Sequence, residues 1–83
     1  MDVKILGTGC PNCKRLEKVT RDALAEMGIE ANVTKVTALA DIMSYDIMAT
    51  PGLVIDEQVV SSGRIPSKAE VTSMIATALM SEE

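Results

Sequence analysis

The sequence predicts an α/β domain with element order β-α-β-α-β-β-α, a mixed four-stranded sheet covered by three helices. Three observations carry this prediction. Apolar residues recur at helical spacing in two long windows and a shorter one. They alternate or run together in four short stretches, and the two kinds of segment interleave along the chain. The 83 residues suit one domain, 1–83, with too little core for a second.

Val3 to Leu6 is a short strand broken only by Lys4, and it runs into the loop Gly7-Thr8-Gly9. From Pro11 the period changes. Leu16, Val19, Ala23, Leu24 and Met27 share one helical face, while Lys14, Arg15, Glu17, Lys18, Arg21 and Asp22 occupy the other. Pro11 suits the first helical position, and Gly28 supplies the stop. Ile29, Ala31 and Val33 alternate with Glu30, Asn32 and Thr34 as a half-exposed strand. Leu39, Ile42, Met43 and Ile47 mark a shorter helix over 38–47, with Thr37 as its N-cap. A third strand spans 52–56 and a fourth 59–62. The intervening Glu57-Gln58 is not a standard two-residue hairpin turn, which leaves its geometry open. Ser67-Lys68-Ala69-Glu70 forms a capping box, followed by Val71, Met74, Ile75, Ala78 and Leu79 at helical spacing. Ser81-Glu82-Glu83 reads as a frayed end. The β-α-β opening implies a right-handed crossover between parallel strands, and the late hairpin adds two antiparallel ones.

The chain is 47% hydrophobic and 24% charged, too apolar for disorder. Tyr45 is its single aromatic, so aliphatic residues and methionines must fill the core, with Met27, Met43 and Met74 assigned there. A net charge of -4 argues against nucleic acid and against anionic membrane surfaces as partners. No apolar run approaches the ~18 residues of a membrane span. The opening MDVKILGTG is too short and polar for a secretory signal. The expected location is the cytoplasm, where two cysteines persist as thiols.

Those two cysteines are Cys10 and Cys13, three apart at a helix start, in a chain with no histidine. A structural disulfide gains little from so short a loop, and a complete zinc site would need four ligands. Cys10 meets the free amides and positive dipole of the helix N-terminus, with Lys14 and Arg15 one turn on, so its thiol should ionise readily. Cys13, a turn further in, is less exposed and sees a weaker field. That asymmetry makes Cys10 the attacking nucleophile and Cys13 the resolving thiol, with Pro11 and Asn12 limiting chain freedom between them. The blander reading, two small buried hydrophobes, fits poorly with a glycine-rich loop before a polar helix start. Pro51, in Met48-Ala49-Thr50-Pro51-Gly52, reads by itself as a loop breaker before a strand.

Together, CPNC, TPGLVID and SSGR resemble the thioredoxin superfamily in its short, glutaredoxin-sized form. The chain is particularly similar to small archaeal and bacterial thioredoxin-like redox-active disulfide proteins, which share a GTGC-x-x-C opening. The resemblance implies a thioredoxin-like fold, Cys10 and Cys13 as the redox pair, and a cis Thr50–Pro51 bond packed beside them. It implies that the Thr50 backbone pairs with a substrate strand and that Gly63 lets the partner approach. The chain departs from the pattern at Gly9, where ordinary thioredoxins carry tryptophan, and at Lys4, where they place a buried acid. Lys4 is then either an exposed edge charge or a partly buried cation near Cys13 that favours thiolate. The tripeptide-binding residues of glutaredoxins are not recognisable.

The function expected is a thiol–disulfide oxidoreductase that reduces target protein disulfides. It needs no bound cofactor and no metal, acts as a monomer, and is re-reduced by a thioredoxin-reductase-like flavoprotein or another reductase. Two alternatives use the same cysteines: a soft-metal module for Cu(I) or zinc, and a redox-sensing interaction protein. Copper-chaperone domains follow their first helix with a strand hairpin, end on a strand, and carry methionine where this chain has Thr8. Met48, Ala49 and Ile65 are apolar candidates for docking, with core packing as their alternative.

Overall fold

The computed structural model describes residues 1–9, 11–47 and 49–80. Cys10, Met48 and the terminal 81–83 lie outside the described residues. The seven elements follow the expected order: β1 (Asp2–Leu6), α1 (Pro11–Met27), β2 (Asn32–Val36), α2 (Leu39–Met43), β3 (Gly52–Ile55), β4 (Gln58–Ser62) and α3 (Lys68–Met80). The sheet order is β2-β1-β3-β4. β1 runs parallel to β2 and antiparallel to β3, and β4 returns antiparallel beside β3.

Strand alternation sorts the core onto two faces. Val3 and Ile5 of β1, with Leu53 and Ile55 of β3, pack against Leu16, Ala23 and Leu24 of α1 and Val71 and Ile75 of α3. Leu6 and Val54 point the other way and meet Ile42 of α2, with Val36, Tyr45 and Ile47 partly buried around them. β3 is buried along its whole length because both faces and both edges are covered. Each fully buried Leu or Ile contributes about 2 kcal/mol.

In α1 the buried residues are Cys13, Leu16, Thr20, Ala23 and Leu24. Thr20 tolerates that place because its hydroxyl donates to the Leu16 carbonyl at 2.8 Å. Gly28, at φ +68, ends the helix. Its amide donates to Ala25 O and that of Ile29 to Leu24 O, the paired bonds of a Schellman cap. The expected capping box opens α3: the Glu70 amide donates to Ser67 Oγ at 3.2 Å, and the Ser67 amide to Glu70 Oε1 at 3.1 Å.

Arg64, and next the Ser67 amide, hold the Glu70 carboxyl down at about 2. The folded value lies below the unfolded one of about 4.3, so the stabilisation is complete above that value and disappears as pH falls toward 2. Glu70→Gln should therefore melt below the parent at pH 7 and converge with it near pH 2. A melting gap that stays constant across this range would mean that the charge contributes nothing.

Five expectations need correction. β2 begins at Asn32 rather than Ile29, because Gly28 and Ile29 are used by the α1 cap. α2 is shorter than 38–47, and its N-cap is Ala38, not Thr37. It buries Ile42 and leaves Met43 63% exposed, so Met43 is not core, whereas Met27 and Met74 do pack partly buried against it. The hairpin turns at Asp56–Glu57, since Ile55 pairs with Gln58. Both turn residues have positive φ, +48 and +68, the pattern of a two-residue type I′ turn built without glycine.

Candidate active site at one end of the sheet

The register brings four chain segments to the same end of the sheet. Leu6 pairs with Val36 on one side and Gly52 on the other, and Gly52 pairs with Ser62. The residues just beyond these pairs are Gly7, Thr37, Pro51 and Gly63. β1 lies between β2 and β3, so the chain switches sides around it, the place where open α/β sheets leave a crevice.

Gly7 is buried, and its amide donates to Val36 O at 3.0 Å. A Cβ there would lie 2.2 Å from Cys13 Sγ, so the loop backbone rests directly on the sulfur. Cys13 itself is 6% exposed, consistent with its place on the apolar face of α1. A crevice of about 50 Å³ opens beside it, bounded by Ile5, Gly7, Gly9, Glu17, Lys35 and Thr37 among others.

The Thr50–Pro51 peptide bond is cis, with Thr50 exposed and Pro51 buried. The Gly63 amide donates to Pro51 O at 2.9 Å. Gly63 holds φ +73, and a Cβ there would sit 3.1 Å from that of Ala49. Position 63 thus requires glycine both for its backbone and for its close approach to the proline loop. Ala49 is exposed and Ile65 half-buried.

Pro11, Asn12 and Lys14 are exposed on the first turns of α1. Lys4 is not part of the crevice, and it is neither an edge charge nor a neighbour of Cys13. β1 is an interior strand, and Lys4 shares the face of Leu6 toward α2, opposite the face on which α1 packs. Its ammonium donates to Glu57 Oε1 at 2.5 Å and to Tyr45 OH at 2.9 Å. Glu57, then Tyr45, hold it protonated well above the usual lysine range. Sequence reasoning assigned no role to Gly7, Glu17 or Lys35. The spacing of Glu17 four residues after Cys13 was the one available signal for them. A wider depression of about 600 Å³, beside Met1, Arg21, Glu30 and Asn32, lies at the opposite end of the sheet, away from the thiol.

A buried cysteine under a strand-to-helix loop, at the sheet end shared with a cis-proline loop and a close glycine, defines a thioredoxin-like protein of the disulfide oxidoreductase class. The chain belongs to the thioredoxin family: a family model described as "Thioredoxin domain" matches residues 1–76. It is 38% identical over 76 residues to a thioredoxin of Methanothermobacter thermautotrophicus, covering 92% of this chain and 99% of that one. It is also 38% identical over 69 residues to a thioredoxin of Methanocaldococcus jannaschii, covering 83% and 79%. Thioredoxin 1 of Thermosipho africanus superposes with a TM-score of 0.59 over 96% of both chains, at 20% identity, which shows the shared fold.

Proposed function

We propose that this chain reduces disulfides in target proteins through Cys10 and Cys13. The Cys10 thiolate attacks a target disulfide, forming a mixed disulfide and releasing one target sulfur. Cys13 then loses its proton and attacks Cys10 Sγ. The Cys10–Cys13 bond forms, the bond to the target breaks, and the second target sulfur leaves as a thiolate that takes up a proton. Two electrons pass to the target, and the sulfurs carry them without a cofactor. A reductase, such as a thioredoxin-reductase-like flavoprotein, returns the pair to dithiol.

The observation that carries this reading is the burial of Cys13 under Gly7, at the sheet end shared with the Pro51 loop and Gly63. A buried second thiol suits resolution, because it is shielded from outside disulfides yet stands three residues from position 10 in the sequence. Exposed Thr50 and Gly63 offer a rim on which an extended target segment can lie, its backbone pairing with Thr50. The protein acts as a monomer in the cytoplasm. The metal-module alternative fits less well, since helix α2 follows β2 where a strand hairpin would be expected.

The reduction potential tests the proposal. The protein is equilibrated anaerobically in graded thiol/disulfide buffers, alkylated, and its free thiols counted by mass. A reversible two-electron transition near or below roughly −230 mV is expected for a reductase. A much higher value would make the protein an oxidant, and no intramolecular disulfide at any ratio would end the carrier reading.

A further inference from the structure

We propose that Glu17 holds Cys13 in its protonated state from the crevice behind the thiol, and so sets the pace at which mixed disulfides are resolved. This rests on the Cys10–Cys13 reading above. Glu17 and Cys13 line the same small crevice and stand four residues apart on α1, where side chains are neighbours. The Glu17 side chain is 17% exposed, accepting from Arg21 Nε at 2.9 Å with Lys35 Nζ 3.6 Å away.

Lys14 and Lys35 line the same crevice and Arg21 adjoins it, but these cations are more exposed than the carboxylate. Arg21 is 54% and Lys35 62% exposed, and Lys14 is also exposed. Water and salt therefore screen the positive charges more than the carboxylate. β1 and β3 present Val3, Ile5, Leu53 and Ile55 on this face and add no charge, while Lys4 lies on the other. Lys68 of α3 pairs with Glu26 near the far end of α1. The Arg21 guanidinium, with Lys35 as a further cation, keeps the Glu17 carboxyl below its ordinary range, so it is an anion wherever a thiol titrates. A fixed anion beside a buried thiol opposes its ionisation, as burial itself does. The two cysteines are thereby held apart in readiness: position 10 ionises first, and Cys13 loses its proton only when it attacks.

Glu17→Gln tests this, because it removes the charge and keeps an oxygen for Arg21. The Cys13 thiol is titrated by ultraviolet thiolate absorbance in a Cys10→Ser background. Its pKa should fall by about one unit in Glu17→Gln. In the two-cysteine protein, resolution is followed with an aromatic disulfide that releases one coloured thiol on attack and a second on resolution. The second release at neutral pH should quicken about threefold, since a tenfold gain in thiolate is partly offset by lower nucleophilicity. Glu17→Ala, which likewise removes the charge and suits a helix, should lower the pKa in the same way, and it decides the matter if Glu17→Gln does not fold. An unchanged Cys13 pKa in the variants, or a rise in Glu17→Gln, would reduce Glu17 to a helix ion-pair partner and overturn the proposal. Failure of the parent to give any second release would instead strike the carrier reading.

Discussion

Cys13→Ser should turn the protein from a reductase into a trap. In the proposed mechanism attack on a target disulfide needs only the first thiol, so a mixed disulfide with Cys10 should still form. Its release then waits for an outside thiol. Intramolecular groups in good geometry act at effective concentrations of roughly 10⁵ M and above, so turnover should fall by about a thousandfold or more even with millimolar thiol present. The fold should survive. Serine is close to cysteine in size, and burying its hydroxyl at this 6% exposed position costs about 1–3 kcal/mol unless it finds an acceptor. Non-reducing mass analysis of the variant with a disulfide-containing protein should show a covalent adduct that persists. Normal turnover with no adduct would mean that Cys13 does not resolve, and the assignment of roles would be wrong.

Gly7→Ala should do nearly as much harm from a position without reactive chemistry. The added methyl would lie 2.2 Å from Cys13 Sγ and 3.2 Å from its Cβ. Neither partner yields easily. Gly7 is tied to Val36 O, and Cys13 is fixed in α1 under the sheet. Overpacking of this kind costs about 1–3 kcal/mol, which lowers the melting temperature of a domain this size by roughly 5–20 °C. In the proposed mechanism this sulfur attacks position 10, and displacing it should make adducts accumulate as expected for Cys13→Ser. Gly9→Ala is the control. Nothing stands within 4 Å of a Cβ there, and its cost of about 1–2 kcal/mol comes from φ +88 alone. If Gly7→Ala and Gly9→Ala behaved alike in both stability and adduct formation, the contact with Cys13 would carry no weight.

The parts of the protein that were legible before folding are those whose causes are local. Ser67 and Glu70 cap each other within four residues, so a four-letter pattern suffices to place the start of α3. Leu16, Ala23 and Leu24 announce the buried stripe of α1, and Gly28 its end, through spacing and backbone freedom. Thr20 was missed there because its type is polar, and the bond to Leu16 that makes burial tolerable is invisible in composition. Met43 was misplaced for the converse reason. Its apolar character fits a core, but α2 is barely more than one turn and buries Ile42 in its stead.

At the site, the spacing of Cys10 and Cys13 and the helix start at Pro11 were enough to ask for thiol chemistry, because ionisation at a helix terminus depends on neighbours in sequence. The partners of Cys13 were not legible. Gly7 reaches its sulfur, and Lys35 enters its crevice, because β1 and β2 pair in parallel and set Ile5 beside Lys35. Lys4 shows the same limit, since the family resemblance set it where ordinary thioredoxins place a buried acid, while strand alternation turns it to Tyr45 and Glu57 on the far face. The sequence by itself therefore determined the elements and their order, and raised the question of thiol chemistry at Cys10 and Cys13, all through patterns within about one helical turn. Which residues surround Cys13, and what charge it feels, was decided by strand order and register, which join residues up to about fifty positions apart through contacts that no local pattern records.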